Sequence, residues 1–455
     1  MGLLSVVSCT EITCSHKSSR EKEGRFLMKI RIRKRQQMEL LVQYIFILPF
    51  LFFFLMDLCQ FPSVVKYTVD VVWLLLLAAM LLNRVRFSNP QAKKILKIVG
   101  AFFLLTLVGL ILEYQSVLYY LWGIRNNARF FVFFAACILF LSATGAQECL
   151  RLMDRVFYIN LAVTLFQFFA MEKRGDHLGG IFGVETGANG YTNIFLLIVV
   201  TWHMLQYLNE REALKSCLTK CVLTLLIAAL AELKFLYIEF VVVIIMGMFV
   251  THRFARKLWI ALGGLTGAYF GILLMQILFP NFANWFTLQR IWESATSARG
   301  YTSSGDMNRL TAIPMVWNGF LDTPLRKCFG LGLGNCDTSN FEFLVTPFSV
   351  RYTDLHYVFF SSAFMLLETG AAGLMVYLLF FAAIYVYARQ RERQKEADPV
   401  YCQMACIMAA MSVLLIIYNS SMRTEAAYMV YFVLALPFIN AQQKTHVPKE
   451  VSTFA

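Results

Sequence analysis

Long stretches with almost no polar side chain recur along this chain; residues 44–56, 71–82 and 101–112 are three of them. A helix that is apolar on every face cannot be wetted, so such stretches must be surrounded by protein or by lipid. Composition agrees. The 455 residues are 58% hydrophobic and 15% charged, against about half and about a quarter in soluble domains.

A membrane span takes about 17–25 mostly apolar residues. On that measure the expected fold is all-α: a polytopic integral membrane protein with about 12 transmembrane helices. The spans fall at 41–58, 64–82, 95–112, 128–144, 156–171, 191–208, 221–231, 235–250, 258–279, 370–387, 401–418 and 427–440. One large extracytoplasmic loop, 280–356, separates spans 9 and 10. Residues 1–40 form a basic cytoplasmic segment, 357–368 a half-embedded helix before spans 10–12, and 441–455 a cytoplasmic tail. Short connections carrying Arg84, Arg86, Lys93 and Lys94, or Arg389, Arg391, Arg393 and Lys395, place both termini in the cytoplasm. The net charge of +13 therefore reflects topology in a cytoplasmic (inner) membrane, not a nucleic-acid surface. The N-terminal block lacks the cleavage site of a secretory signal and reads as an anchor. Met28 offers a second start.

Two places break the pattern. The apolar stretch 220–252 is too long for one span and must turn back near Ala231-Glu232-Leu233-Lys234. Charges held at membrane depth are expensive and are functional by default. The second is the long loop, which carries Trp285, Trp292 and Trp317 and is too apolar for a floppy linker. It should fold down onto the membrane surface.

Common catalytic motifs are absent: there is no Walker A, GxSxG or HExxH sequence. The eleven cysteines show no zinc spacing, so neither a metal site nor a cofactor is expected. Cys328 and Cys336 share the loop and could pair if the compartment oxidises. No DxD acid pair lies in an outer loop, which argues for metal-independent chemistry. What remains there is a set of cations and one histidine: Lys234, Arg309, Arg326, Lys327, Arg351, His356 and Arg423, with Arg125 and Arg129 nearby. Without a metal, a departing diphosphate must be stabilised by Arg and Lys. A neutral histidine suits removal of a proton from an acceptor hydroxyl.

The order of the motifs adds to this. Asp176-His177-Leu178-Gly179-Gly180-Ile181-Phe182-Gly183 runs on to Gly187-Ala188-Asn189-Gly190, then comes the Ala231–Lys234 turn. Arg309, Ile313 and Trp317 lead into Pro324 and Phe329-Gly330-Leu331-Gly332-Leu333-Gly334, and His356 is followed by Leu367-Glu368-Thr369-Gly370. From about Met38 onward this progression resembles the O-antigen polymerase and ligase superfamily (the Wzy/WaaL type). The resemblance implies a glycosyltransferase in cell-surface polysaccharide biosynthesis. Lys234, where ligases usually have Arg, and Arg309 would bind the undecaprenyl diphosphate of the donor. His356, or Asp354 two residues before it, would activate the acceptor, with Asn189, Arg351 and Arg423 as further substrate-binding residues. The Lys at the turn and the Asp-His-Leu-Gly-Gly segment look more like exopolysaccharide polymerases than like ligases. Expected partners are undecaprenyl-diphosphate-linked oligosaccharides, the bilayer, and a flippase and chain-length regulator.

Each residue also has a structural alternative. Lys234 pairs with Glu232 or Glu239, Arg309 with Asp306, His356 caps the interface, Glu368 caps a helix break, and the glycine run is a tight turn. A ligase or a flippase is the competing function. A transporter usually shows internal repeats; this chain shows none.

Overall fold

The computed structural model describes residues 35–445 apart from 83–86, 88, 252–253, 279–291, 294–295 and 298–305. The expectations that rest on Met28, Arg84, Arg86 and Trp285 lie outside those residues. The described chain is helical and contains no strand. Helix α1 (35–47) runs through a tight turn at Leu48–Leu51 and a wide one at Phe53–Leu58; Pro49, which lacks an N–H, sits at that transition. Then follow α2 (Thr68–Leu82), α3 (Pro90–Leu112), α4 (Val117–Phe140), α5 (Ala143–Phe169), α6 (Ala188–Leu208), α7 (Leu214–Leu230), α8 (Lys234–Val250) and α9 (Phe254–Leu278). The loop carries α10 (Ala312–Gly319), α11 (Pro324–Phe329) and α12 (Pro347–Tyr352). The chain returns through α13 (Ser361–Arg393), α14 (Pro399–Tyr418) and α15 (Ala427–Thr445).

Among the described residues seven helices are long and apolar enough to cross a membrane: α2 to α6, α13 and α14. They make the chain a polytopic membrane protein. Local sequence sets their starts. Asn89 accepts from the amides of Gln91 (2.8 Å) and Ala92 (3.4 Å) ahead of Pro90, and Asp398 accepts from Val400 ahead of Pro399. These are an N-cap and an N1 proline in their preferred places. Helices α4, α6, α14 and α15 form the buried centre, where Phe130 stacks on Tyr431 (5.6 Å), and α13 packs on it through Phe380 against Phe131 (5.0 Å). Helices α2 and α3 turn mostly exposed Leu and Val outward, as lipid-facing helices do.

Two helices begin more than ten residues earlier than expected. Spans at 128–144 and 156–171 became α4 from Val117 and α5 from Ala143. The polar stretches that marked those limits are helical because their charges are matched across the bundle. Arg125 pairs with Asp70, and Arg129 pairs with Glu425 (2.9 Å). At the end of the bundle away from the loop, Asp154 of α5 pairs with Lys220 of α7 and with His203 Nε2 of α6 (2.9 Å), and His203 Nδ1 meets Glu212 (2.8 Å).

The second half of the loop is seated in the bundle. Helix α13 is broken at Gly370, whose φ of 64° leaves carbonyls above it without helical partners. The glycine run supplies donors: Leu331 N–H donates to Leu367 O (2.8 Å) and Gly332 N–H to Glu368 O (3.0 Å). Cys336 N–H donates to Glu368 Oε1 (3.1 Å), and Gln115 Nε2 of the α3–α4 turn donates to Leu333 O (2.7 Å). Gly334 has φ 82°, and a Cβ there would stand 2.0 Å from Tyr119 O. Only glycine fits so close an approach in a left-handed conformation. The run is a backbone clamp.

Candidate functional site

Helices α7 and α8 form a hairpin whose turn is Ala231–Leu233. Glu232 takes a positive φ of 54°, and Leu233 N–H closes the turn on Ala228 O (2.9 Å). That geometry puts Lys234 at the first position of α8, half-buried, with Glu232, Asp176 and Arg309 close enough for their charges to act on it. The next residue, Phe235, stacks on Tyr418 at the end of α14 with centroids 3.6 Å apart and planes 5° from parallel. The Arg309 guanidinium lies 4.4 Å from the centroid of the same tyrosine ring. Lys234 and Arg309, 75 positions apart in sequence (309 − 234), are thus brought to one place by a pair of rings.

Arg309 belongs to the short segment 306–309, which is pinned at both ends. Met307 N–H donates to Leu355 O (3.1 Å), and the Asn308 side chain accepts from the amide of Arg309 (2.8 Å). In the same segment Asp306, whose side chain is 1% exposed, accepts from Nδ1 of His356 (2.8 Å). An ionised carboxylate there would only accept, so Nδ1 would carry the hydrogen and a neutral ring would keep its lone pair on Nε2. His356 itself is 31% exposed, takes the left-handed conformation (φ 54°) and lies against Phe359 (5.0 Å). Asp354 stands exposed on the turn Thr353–Leu355; the carboxylate that touches the imidazole is Asp306, not Asp354.

The other candidates divide. Asn189, in the first turn of α6, donates to Asp176 (2.9 Å) and so borders Lys234 through that carboxylate. Arg423 is held as a strut: it donates to Asp337 (3.2 Å) and Val358 O (3.3 Å), and its guanidinium is 3.1 Å from the Phe364 centroid. Arg351 is exposed on the last turn of α12, 5.4 Å from the Tyr352 centroid, and is not brought to the cation pair by any of these contacts.

Further cations are locked to acids. Arg326 donates through two nitrogens to Glu113 (2.7 Å each), contacts that, with Asp322, raise its pKa further. Glu425 lies in the α14–α15 turn. Burial works against its charge, but Arg129 and the hydroxyl of Tyr191 (2.5 Å) hold its carboxyl down at about 2. Cys328 and Cys336 are free thiols rather than a disulfide. Cys336 is fully buried behind Glu368, and burial pushes its thiol well up.

The sequence signal for the hairpin turn was strong, because charges interrupt an apolar stretch. Phe235 and Tyr418 carried none, aromatics at helix ends being ordinary, and Asp306 was marked only as a counter-charge for Arg309, not as the acceptor of His356. No family model matches the chain, and no curated protein matches it.

Proposed function

We propose that the chain is a polymerase of undecaprenyl-diphosphate-linked oligosaccharide repeat units, working on the outer face of the cytoplasmic membrane in the synthesis of a surface polysaccharide. The observation that carries this reading is the meeting of Lys234 and Arg309 across the Phe235–Tyr418 stack, with the Asp306–His356 pair on the same segment as Arg309. The likeness of motif order to the O-antigen polymerase and ligase superfamily supports it.

In this reading α1 to α9 and α13 to α15 each cross once, giving twelve spans with both termini cytoplasmic. The turns at 113–116, 170–187, 231–233 and 419–426 then share an end with the loop. The contacts of Gln115 with Leu333 and of Arg423 with Asp337, and the nearness of Glu232 to Arg174 and Asp176, agree with that arrangement.

The reaction joins two lipid-linked glycans. Nε2 of His356 takes the proton of an acceptor hydroxyl while that oxygen bonds the anomeric carbon of the donor. The bond from that carbon to the diphosphate oxygen breaks, and the diphosphate leaves with the electron pair. Lys234 and Arg309 stabilise the charge that develops on it, Arg by a two-point grip. Asp306 holds the imidazole in the tautomer that can accept. The products are a longer glycan on the acceptor lipid and undecaprenyl diphosphate.

Purified protein given only lipid-linked oligosaccharide should make a ladder of longer chains without nucleotide sugar or added metal. Movement of substrate between leaflets without elongation would favour a flippase, and transfer only to a different acceptor a ligase. Either result, or loss of activity in EDTA, overturns the proposal.

A further inference from the structure

We infer that Tyr418 is a positioning residue: its ring, backed by Phe235, fixes where the Arg309 guanidinium stands relative to Lys234, and so sets the two-cation grip on a diphosphate. This rests on the reading of the cation pair given above.

Three rigid elements converge on that ring. Tyr418 is the last residue of α14, and the next residue anchors it: Asn419 O accepts from both the amide (3.1 Å) and the hydroxyl (2.8 Å) of Ser361 at the start of α13. Phe235 is fixed by the Ala231–Leu233 turn and lies flat on the tyrosine. A ring covered on one face offers its other face to a cation, and a guanidinium over a tyrosine face is attracted by the ring quadrupole. Arg309 arrives there from the segment pinned by Met307 and Asp306.

The consequence is electrostatic. Two cations as close as Lys234 and Arg309 repel, and long side chains would separate if free to do so. The stack fixes the guanidinium over the ring face, where its charge stands near that of Lys234. A ligand with two linked phosphates recovers the repulsion more fully than one with a single phosphate.

The test is binding of undecaprenyl diphosphate and undecaprenyl monophosphate to the detergent-solubilised full chain, for wild type, Tyr418→Phe and Tyr418→Leu. Tyr418→Phe keeps the ring and should bind the diphosphate within about twofold of wild type. Tyr418→Leu should weaken the diphosphate by about tenfold, the scale of one desolvated cation–π contact. Its loss for the monophosphate should be clearly smaller, with the melting temperature unchanged. Should Tyr418→Leu fail to fold, Phe235→Leu removes the backing ring and should reproduce the loss. Diphosphate binding unchanged in Tyr418→Leu, equal losses for both lipids, or Tyr418→Phe as weak as Leu would each overturn the inference. If wild type binds the diphosphate but elongates nothing, the polymerase reading fails and the positioning role stands. If wild type binds no diphosphate, both fail.

Discussion

Two charged clusters occupy opposite ends of the bundle, and they are built on different plans. Away from the loop, Asp154, His203, Glu212 and Lys220 gather from α5, α6, α7 and the α6–α7 turn. Each cation there touches a carboxylate, and Lys220, 2% exposed, is also wrapped by the rings of Phe157 (4.5 Å) and Tyr158 (3.9 Å). At the loop end Lys234 and Arg309 are brought toward each other beside Glu232 and Asp176, while the buried acid Asp306 accepts from His356. Charge buried in a low-dielectric interior must be matched by its surroundings. The first cluster supplies the match from within the chain and acts as a strut. The second brings two cations from distant segments together near those acids, an arrangement to which a ligand of opposite sign can be added.

That contrast can be broken most decisively at the strut. Asp154→Ala leaves Lys220 buried without its carboxylate and should cost about 4 kcal/mol of stability. Thermal unfolding in detergent measures it, and a melting temperature within a degree or two of wild type would remove the distinction. The loop end contains a strut of its own in Arg129–Glu425–Tyr191. The Glu425 carboxyl is depressed from 4.5 to about 2 in the folded chain, so it binds fewer protons folded than unfolded. Its stabilisation, about 3 kcal/mol, is complete above pH 4.5 and is lost as pH falls toward 2. A Glu425→Gln chain should show a correspondingly flatter acid-unfolding profile; an identical profile would deny the pairing.

The cation pair should behave in the opposite manner. Lys234→Ala and Arg309→Ala should each slow chain extension by about a hundredfold or more, the cost of losing one charge that stabilises a leaving group. Melting temperatures should stay near wild type, since removing either cation relieves its repulsion of the other. Normal product ladders from both variants would sink the site. Asp306→Asn should act less strongly, at about thirtyfold, because the imidazole remains but its tautomer is no longer imposed. The mark of that role is rescue by the conservative variant: Asp306→Glu should recover part of the rate that Asp306→Ala loses, and equal losses in both would argue for a purely structural acid.

Much of the fold was legible because lipid imposes a coarse code: apolar stretches long enough to span, interrupted by charge. The Ala231–Lys234 turn followed from that code, and so did Arg309 and His356 as members of a polar loop. What the code could not show were pairings across long separations. Asp306 and His356 are 50 positions apart, and Arg129 and Glu425 nearly 300. Arg423 looked like a candidate because its partner, Asp337, is as distant as the loop itself. The same blindness shortened α4 and α5, since Arg125 or Asp154 reads as a boundary unless its partner is known. The glycine run was ambiguous for a different reason: alternating glycines serve a phosphate or a neighbouring backbone equally well. The helix break at Gly370 decided the matter.

Asp354 offers the finest discrimination, because proximity in sequence favours it and geometry does not. It lies two residues from His356, closer along the chain than any other acid, yet the 3-10 turn Thr353–Leu355 leaves it exposed while His356 turns into the left-handed region to meet Asp306. A solvated carboxylate at that position contributes little through a high-dielectric path. Asp354→Ala should therefore change chain extension by less than about twofold, within the scatter of surface substitutions. Measured beside Asp306→Asn in the same preparation, it asks which carboxylate the histidine uses. A larger loss at Asp354 than at Asp306 would reverse the assignment and leave Asp306 as one more strut, of the kind found at the opposite end.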